Sequence, residues 1–160
     1  MSKNIKTNAM RILDKAKIEY KPIEYAVDEN DLSGVTIAKS VGLDCEMVFK
    51  TLVAKGDKTG PLVMCIPVDK EIDLKKAASA TGNKKVEMVH VKELLNLTGY
   101  VRGGCSPIGM KKKFPTFFCN SAQNLDKLTV SAGIKGCQLL LSRAELVMFL
   151  DAKLCDLCNL

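Results

Sequence analysis

The sequence predicts a single α/β domain spanning residues 1–160, with about six or seven strands and about five helices. Three observations carry this. Short apolar runs alternate with amphipathic segments that begin at a capping residue and stop at glycine. Two of the runs are apolar on both faces, as central strands of a covered sheet are. No stretch reads as a repeat, a low-complexity segment or a linker.

Residues 7–18 read as a helix, with Ala9, Ile12, Leu13 and Ala16 at helical spacing and Thr7 or Asn8 as cap. Tyr20–Tyr25 follows as a short strand, and Pro22 within it argues for a sheet edge. A polar loop through Asp28–Asp31 leads to a helix over Thr36–Val41, closed by Gly42. Val48–Ala54 and Leu62–Val68 are the two doubly apolar strands, joined by the turn-rich Lys55–Gly60. Asp73 and Gly82 bracket a helix, Lys84–Val89 is a strand, and Val91–Leu97 is a helix stopped by Gly99. Thr116–Cys119, Leu128–Ser131 and Cys137–Leu141 are three further strands. Ser142-Arg-Ala-Glu145 is a capping box that opens the last helix.

At 47% hydrophobic residues the chain can bury a core without staples. Its seven cysteines are odd in number and scattered through apolar runs, which fits a reducing cytosol better than a disulfide framework. The opening Met1–Lys6 has no apolar signal core and no run is long enough to span a bilayer, so a soluble cytoplasmic protein is expected. The net charge of +6 suits an anionic partner such as RNA. Aromatics at 5% and the absence of Trp leave little for stacking bases.

Gly99-Tyr-Val-Arg-Gly-Gly-Cys-Ser-Pro-Ile-Gly109 is the stretch around which the chain is organised. Four glycines there allow close approach to the backbone, and Gly103 and Gly104 could turn N–H groups toward an anion or a developing oxyanion; a plain turn is the structural alternative. The spacing from Gly104 to Gly109 imitates the start of a phosphate-binding loop. Met110 nevertheless occupies the lysine position, no Ser or Thr follows, and Pro115 obstructs the helix such a loop needs. Ser106 in the loop, and Lys111 and Lys112 directly after it, are candidate substrate contacts, since a polyanion held by the lysines would bring its end to the glycines.

Lys50 is an ammonium on an otherwise apolar strand, sharing a face with Val48, Leu52 and Ala54. Either it reaches solvent at a sheet edge or it holds an anionic ligand in a cleft. His90 is the only histidine, which excludes a multi-histidine metal site, and it reads as a cap or surface residue. Cys155 and Cys158 have the spacing of half a zinc site with no matching second pair, and they lack the context of a redox motif. Cys105 has no evident base partner and reads as a small apolar filler. Neither a metal nor a cofactor is expected.

Four stretches together resemble the YbaK/EbsC family of free-standing aminoacyl-tRNA deacylases, related to the editing domain inserted in bacterial prolyl-tRNA synthetases. They are Phe49-Lys-Thr-Leu52; Leu74-Lys-Lys-Ala-Ala78 with Lys85-Val-Glu-Met88; the glycine stretch; and Val130-Ser-Ala-Gly-Ile-Lys-Gly136. The resemblance covers nearly the whole chain. It implies a mixed, partly barrel-like sheet wrapped by helices, and removal of cysteine wrongly attached to proline tRNA. The partner it implies is the aminoacylated 3′ end of tRNA, with prolyl-tRNA synthetase as a candidate docking partner. By the resemblance Lys50 holds the phosphate or ribose of that end, Thr51 stands beside it and Tyr25 lines the pocket. Gly103 and Gly104 supply N–H groups near the ester, and Ser131 supplies a hydroxyl. The family's reaction uses the substrate's own thiol and no protein nucleophile; a relative that removes alanine would need water instead. One departure from the family pattern is Ile134, which stands before Lys135 where a basic pair is usual.

Overall fold

The computed structural model describes residues 5–159. Met1–Asn4, where the reading for a targeting signal begins, and Leu160 lie outside the described residues. Thr7 caps α1 (Asn8–Lys15) by accepting from the Met10 N–H. This helix ends three residues earlier than its apolar spacing predicts. Lys17 takes φ 60° and reverses the chain, and Ile18 N–H closes on the Leu13 carbonyl. β1 (Tyr20–Glu24) follows as an edge strand, consistent with Pro22.

Ser33 caps α2 (Gly34–Val41), and Gly42 ends it in the left-handed conformation. β2 (Phe49–Gly56) and β3 (Gly60–Pro67) pair antiparallel, with Phe49 opposite Pro67 and Gly56 opposite Gly60. Asp73 caps α3 (Leu74–Thr81) by accepting from the Lys75 and Lys76 N–H groups. β4 (Val86–Met88) is shorter than the predicted Lys84–Val89, because the Lys84 and Lys85 N–H groups both donate to Asp57 Oδ1 instead of to a strand. α4 (Val91–Thr98) stops at Gly99.

Past the glycine stretch come β5 (Thr116–Cys119), β6 (Lys127–Ser131), β7 (Cys137–Ser142) and α5 (Arg143–Leu150), with Ser142 Oγ accepting from the Glu145 N–H. An eighth strand, β8 (Lys153–Cys155), was not foreseen and pairs parallel with β5.

The strands form two sheets, β1-β7-β6 and β4-β2-β3-β5-β8. A single parallel bridge, Val48 to Thr129, connects them, so the sheets lean together without closing into a barrel. Leu13, Phe49, Phe118, Leu128, Leu139 and Leu146 meet in the core between them. A second small cluster of Ala38, Val48 and Val68 seats α2 on the ends of β2 and β3. No described helix is long and apolar enough to cross a membrane.

Candidate functional site

The site begins with a gap in strand pairing. On the side away from β3, β2 is bonded to β4 only from Ala54 to Gly56, and Val53 C=O accepts from Val89 N–H at 3.1 Å. At the other end Val48 bridges to β6. Between them, Phe49 to Leu52 have no described strand beside them on that side, and a cleft of about 630 Å³ opens along that edge. Because the cleft runs past an edge, residues from both faces of β2 reach it, Lys50 and Leu52 as well as Phe49 and Thr51.

Four other segments complete its walls. Leu32 to Val35 and Ile37 come from α2 and its approach, and Met88, Val91 and Leu94 from β4 and α4. Arg102, Gly103 and Cys105 come from the glycine stretch, and Ser131 and Gln138 from the second sheet. Asp69 and Glu71 lie at the rim just past β3.

Lys50 is half-buried, and no hydrogen bond or ion pair satisfies its ammonium among the described residues. Thr51 Oγ1 sits 3.8 Å from Cys65 Sγ, in a layer where burial pushes the Cys65 thiol up to about 12. Cys105 also lines the cleft, and burial holds its thiol at about 12. A thiol so held stays protonated at neutral pH and is a poor nucleophile.

Gly103 reaches the cleft at φ +88°, a conformation that favours glycine, with Lys135 Cε and Leu32 Cδ1 at ordinary contact distance from where a Cβ would stand. Gly104 has a different place. It is buried, its N–H donates to Val101 C=O at 3.0 Å, and the Ile134 backbone lies 3.2 Å from where its Cβ would stand. Ser131 ends β6 in the cleft, and its Oγ accepts from Gly133 N–H at 3.0 Å.

Tyr25 follows β1 with its N–H on Gly136 C=O, and lines a smaller recess that shares Gly103, Leu32 and Ile37 with the main cleft. Lys135 lines that recess too and pairs with Glu29 at 3.1 Å. Ser106 is fully buried, its Oγ accepting from Ile108 N–H, so its hydroxyl does not face the cleft. Lys111 and Lys112 are exposed and lie outside the cleft lining, with Lys111 packed along Gly99.

The structure thus brings Lys50, Thr51, Gly103 and Ser131 into one cleft, places Tyr25 beside it, and leaves Gly104, Ser106, Lys111 and Lys112 off its surface. Sequence reasoning missed Arg102 and Gln138. An arginine directly before the paired glycines, and one polar residue inside the apolar Cys137–Leu141 run, were signals for both. Gln138 Oε1 accepts from Thr129 Oγ1 at 3.0 Å, which satisfies this buried polar pair beside the cleft. No three described His, Cys, Asp or Glu side chains are grouped to hold a metal ion. The arrangement can hold an anion at Lys50 and Arg102 and a carbonyl oxygen at backbone N–H groups, and it offers no thiolate to attack.

The chain is 48% identical to EbsC of Enterococcus faecalis over 152 residues, covering 95% of this chain and 93% of that protein, whose assigned role is Cys-tRNA(Pro)/Cys-tRNA(Cys) deacylase. It is 25% identical to the uncharacterized protein YwhH of Bacillus subtilis over 140 residues, covering 85% of this chain and 88% of YwhH. A solved structure described as a trans-editing enzyme for prolyl tRNA synthetase superposes with a TM-score of 0.79 at 20% identity, covering 94% of this chain and 96% of that one, which shows a shared fold. The model of the aminoacyl-tRNA editing domain matches residues 33–149, the span that supplies nearly the whole cleft, and the chain belongs to that family.

Proposed function

We propose that the protein is an aminoacyl-tRNA deacylase that removes cysteine from mischarged Cys-tRNA(Pro), with Cys-tRNA(Cys) as a further substrate. The carrying observation is Lys50: a half-buried ammonium, lining a cleft, with no carboxylate bound to it among the described residues. A half-buried cation left without a partner is costly unless an anion arrives, and the phosphate at the 3′ end of tRNA is such an anion. The identity with EbsC along almost the full chain supports the same substrate class.

In this reading Lys50 grips the phosphate or ribose, Thr51 stands beside it, and the Gly103 N–H faces the ester carbonyl. Ser131 lends its hydroxyl, and Tyr25 borders the pocket from the neighbouring recess. The substrate's own thiolate attacks the ester carbonyl, the bond to the ribose oxygen breaks, and that oxygen takes up a proton. Cysteine leaves as a cyclic thioester. The protein contributes orientation and stabilisation of the oxyanion. That division of labour suits a cleft whose one lining cysteine is held protonated. Docking on prolyl-tRNA synthetase belongs to the same proposal, as does a cytosolic setting, which the seven free cysteines favour.

The test is loss of the ester from cysteinyl and alanyl proline tRNA with wild type and Lys50→Ala. Cysteine is expected to leave well above its rate in buffer, and Lys50→Ala to lower kcat/KM about 10- to 100-fold, the worth of one charge-assisted contact. Loss of alanine instead would assign a water-using editor. If neither ester is cleaved above the buffer rate while tRNA still binds in a salt-sensitive way, the domain is a binding module.

A further inference from the structure

The pairing phase of β2 fixes which of its backbone groups look into the cleft. In an antiparallel pair, residues alternate between those that exchange hydrogen bonds with the partner strand and those that direct their N–H and C=O the other way. Val68 N–H donates to Val48 C=O, so Val48, Lys50, Leu52 and Ala54 face β3. Phe49, Thr51 and Val53 face the opposite side. The two prolines of β3 agree with this, since Pro67 and Pro61 stand opposite Phe49 and Lys55, where no N–H is required. Val53 agrees as well, because its C=O turns away from β3 to accept from Val89 N–H.

With β4 ending at one side and the Val48 bridge at the other, Thr51 is the residue whose N–H and C=O both open on the uncovered edge. The gap admits one paired residue. We infer that this edge is the subsite for the aminoacyl group itself, which lies against Thr51 as a one-residue strand. Thr51 C=O accepts from the α-ammonium, and Thr51 N–H donates to the ester carbonyl, the same two bonds that a neighbouring strand would make. The inference rests on the deacylase reading and goes beyond it. It names a second backbone donor beside Gly103, in the place that Gly104 leaves empty because its N–H is held by Val101. It also gives recognition of the α-amino acyl scaffold to the main chain. Choice of side chain is then left to the walls of the cleft, and any amino acid small enough to enter would present the same two groups.

The experiment compares cysteinyl proline tRNA with the 3-mercaptopropionyl ester of the same tRNA, which keeps the thiol and the ester and lacks the α-amino group. Each rate is divided by the ester's own loss in buffer. Wild type is expected to favour the cysteinyl ester about 10- to 100-fold, the usual effect of one hydrogen bond to a charged group. Thr51→Pro removes an N–H that β3 does not use, and Thr51→Val removes only the hydroxyl. The proline variant is expected to fall about 10-fold or more below the valine variant on both esters. Equal normalised rates for the two esters with wild type overturn the inference. So does a Thr51→Pro protein with native circular dichroism that matches Thr51→Val. Should Thr51→Pro not fold, the ester comparison decides alone. If wild type cleaves neither ester, the deacylase reading falls and the subsite with it; cleavage of both without preference removes the subsite and leaves the deacylase standing.

Discussion

Gly34 and Val68 meet so closely that a Cβ on Gly34 would stand 2.4 Å from the Val68 Cβ. The contact seats the first turn of α2 on the chain just past β3, and that turn is a wall of the cleft. Val68 belongs with Ala38 and Val48 to the small cluster that holds α2, and Val48 is also the bridge between the sheets. One missing methyl therefore sets the distance between the α2 wall and the β2 edge.

Gly34→Ala is expected to force α2 outward. The overpacking should cost about 1–3 kcal/mol in urea unfolding, and the displaced wall should raise KM for the aminoacyl-tRNA more than it lowers kcat. A variant with unchanged unfolding midpoint and unchanged KM would show that α2 can shift without consequence.

Tyr100 links the glycine stretch to itself and to the second sheet. Its hydroxyl donates to Ile108 C=O, and its ring edge lies 3.0 Å from where a Cβ of Gly133 would stand. Burial pushes its phenol up to about 12 from an ordinary value of 10.0. The folded chain thus favours the protonated phenol. The stabilisation is whole below pH 10 and declines as the pH rises from 10 toward 12. Tyr100→Phe is expected to lose about 1 kcal/mol at pH 8, and the gap to wild type should narrow steadily above pH 10. Cys65 titrates in the same alkaline range in both proteins, while Cys105 is close enough to the phenol to raise it, so the difference between the two urea curves reports the tyrosine together with its coupling to Cys105. A gap that stays constant to pH 12 would mean that the phenol is not held protonated by the fold.

The helices and most strands were legible because their signals are local. Asp73, Ser142, Gly42, Gly82 and Gly99 punctuate the chain, and the structure uses each of them at a helix end. β8 was not legible, since three residues in parallel pairing show no alternation, and their partner lies more than thirty positions away on β5. The same pairing gives Cys155 and Cys158 a place in the fold that their spacing does not announce. Cys155 is a strand residue opposite Cys119, and the neighbouring Cys158 thiol, together with the Ser121 hydroxyl that donates to the Cys119 sulfur at 3.4 Å, holds the Cys119 thiol below its ordinary range. Lys50 and Gly103 stood out as residues at odds with their surroundings, an ammonium in an apolar strand and a bare backbone. Lys111 and Lys112 were read toward the loop on adjacency in sequence, and the turn at Gly109 takes them to the surface outside the cleft lining. The gap at Thr51 is a property of pairing between distant strands, and nothing in Phe49–Leu52 alone announces it.

Asn83 carries a stability prediction that should leave the chemistry untouched. Its side chain is buried at the end of α3. Oδ1 accepts from the Lys58 and Thr59 N–H groups at 2.8 and 3.0 Å, and Nδ2 donates to the Thr59 and Thr81 hydroxyls at 3.2 and 2.9 Å. One amide therefore clamps the β2–β3 turn to the helix that follows, and Gly56 makes room for it, since a Cβ there would lie 2.3 Å from Nδ2. Asn83→Ala takes the acceptor away from two turn N–H groups and opens a small cavity, at an expected cost of about 2 kcal/mol in urea unfolding. Asn83 does not line the cleft, and the clamp lies at the far end of β2 from Thr51. At a temperature where the variant is fully folded, kcat/KM for the aminoacyl-tRNA should stay within about twofold of wild type. A fall in kcat/KM of tenfold or more in that folded variant would mean that the turn and the cleft edge move together along β2, and that the open edge at Thr51 is not rigid.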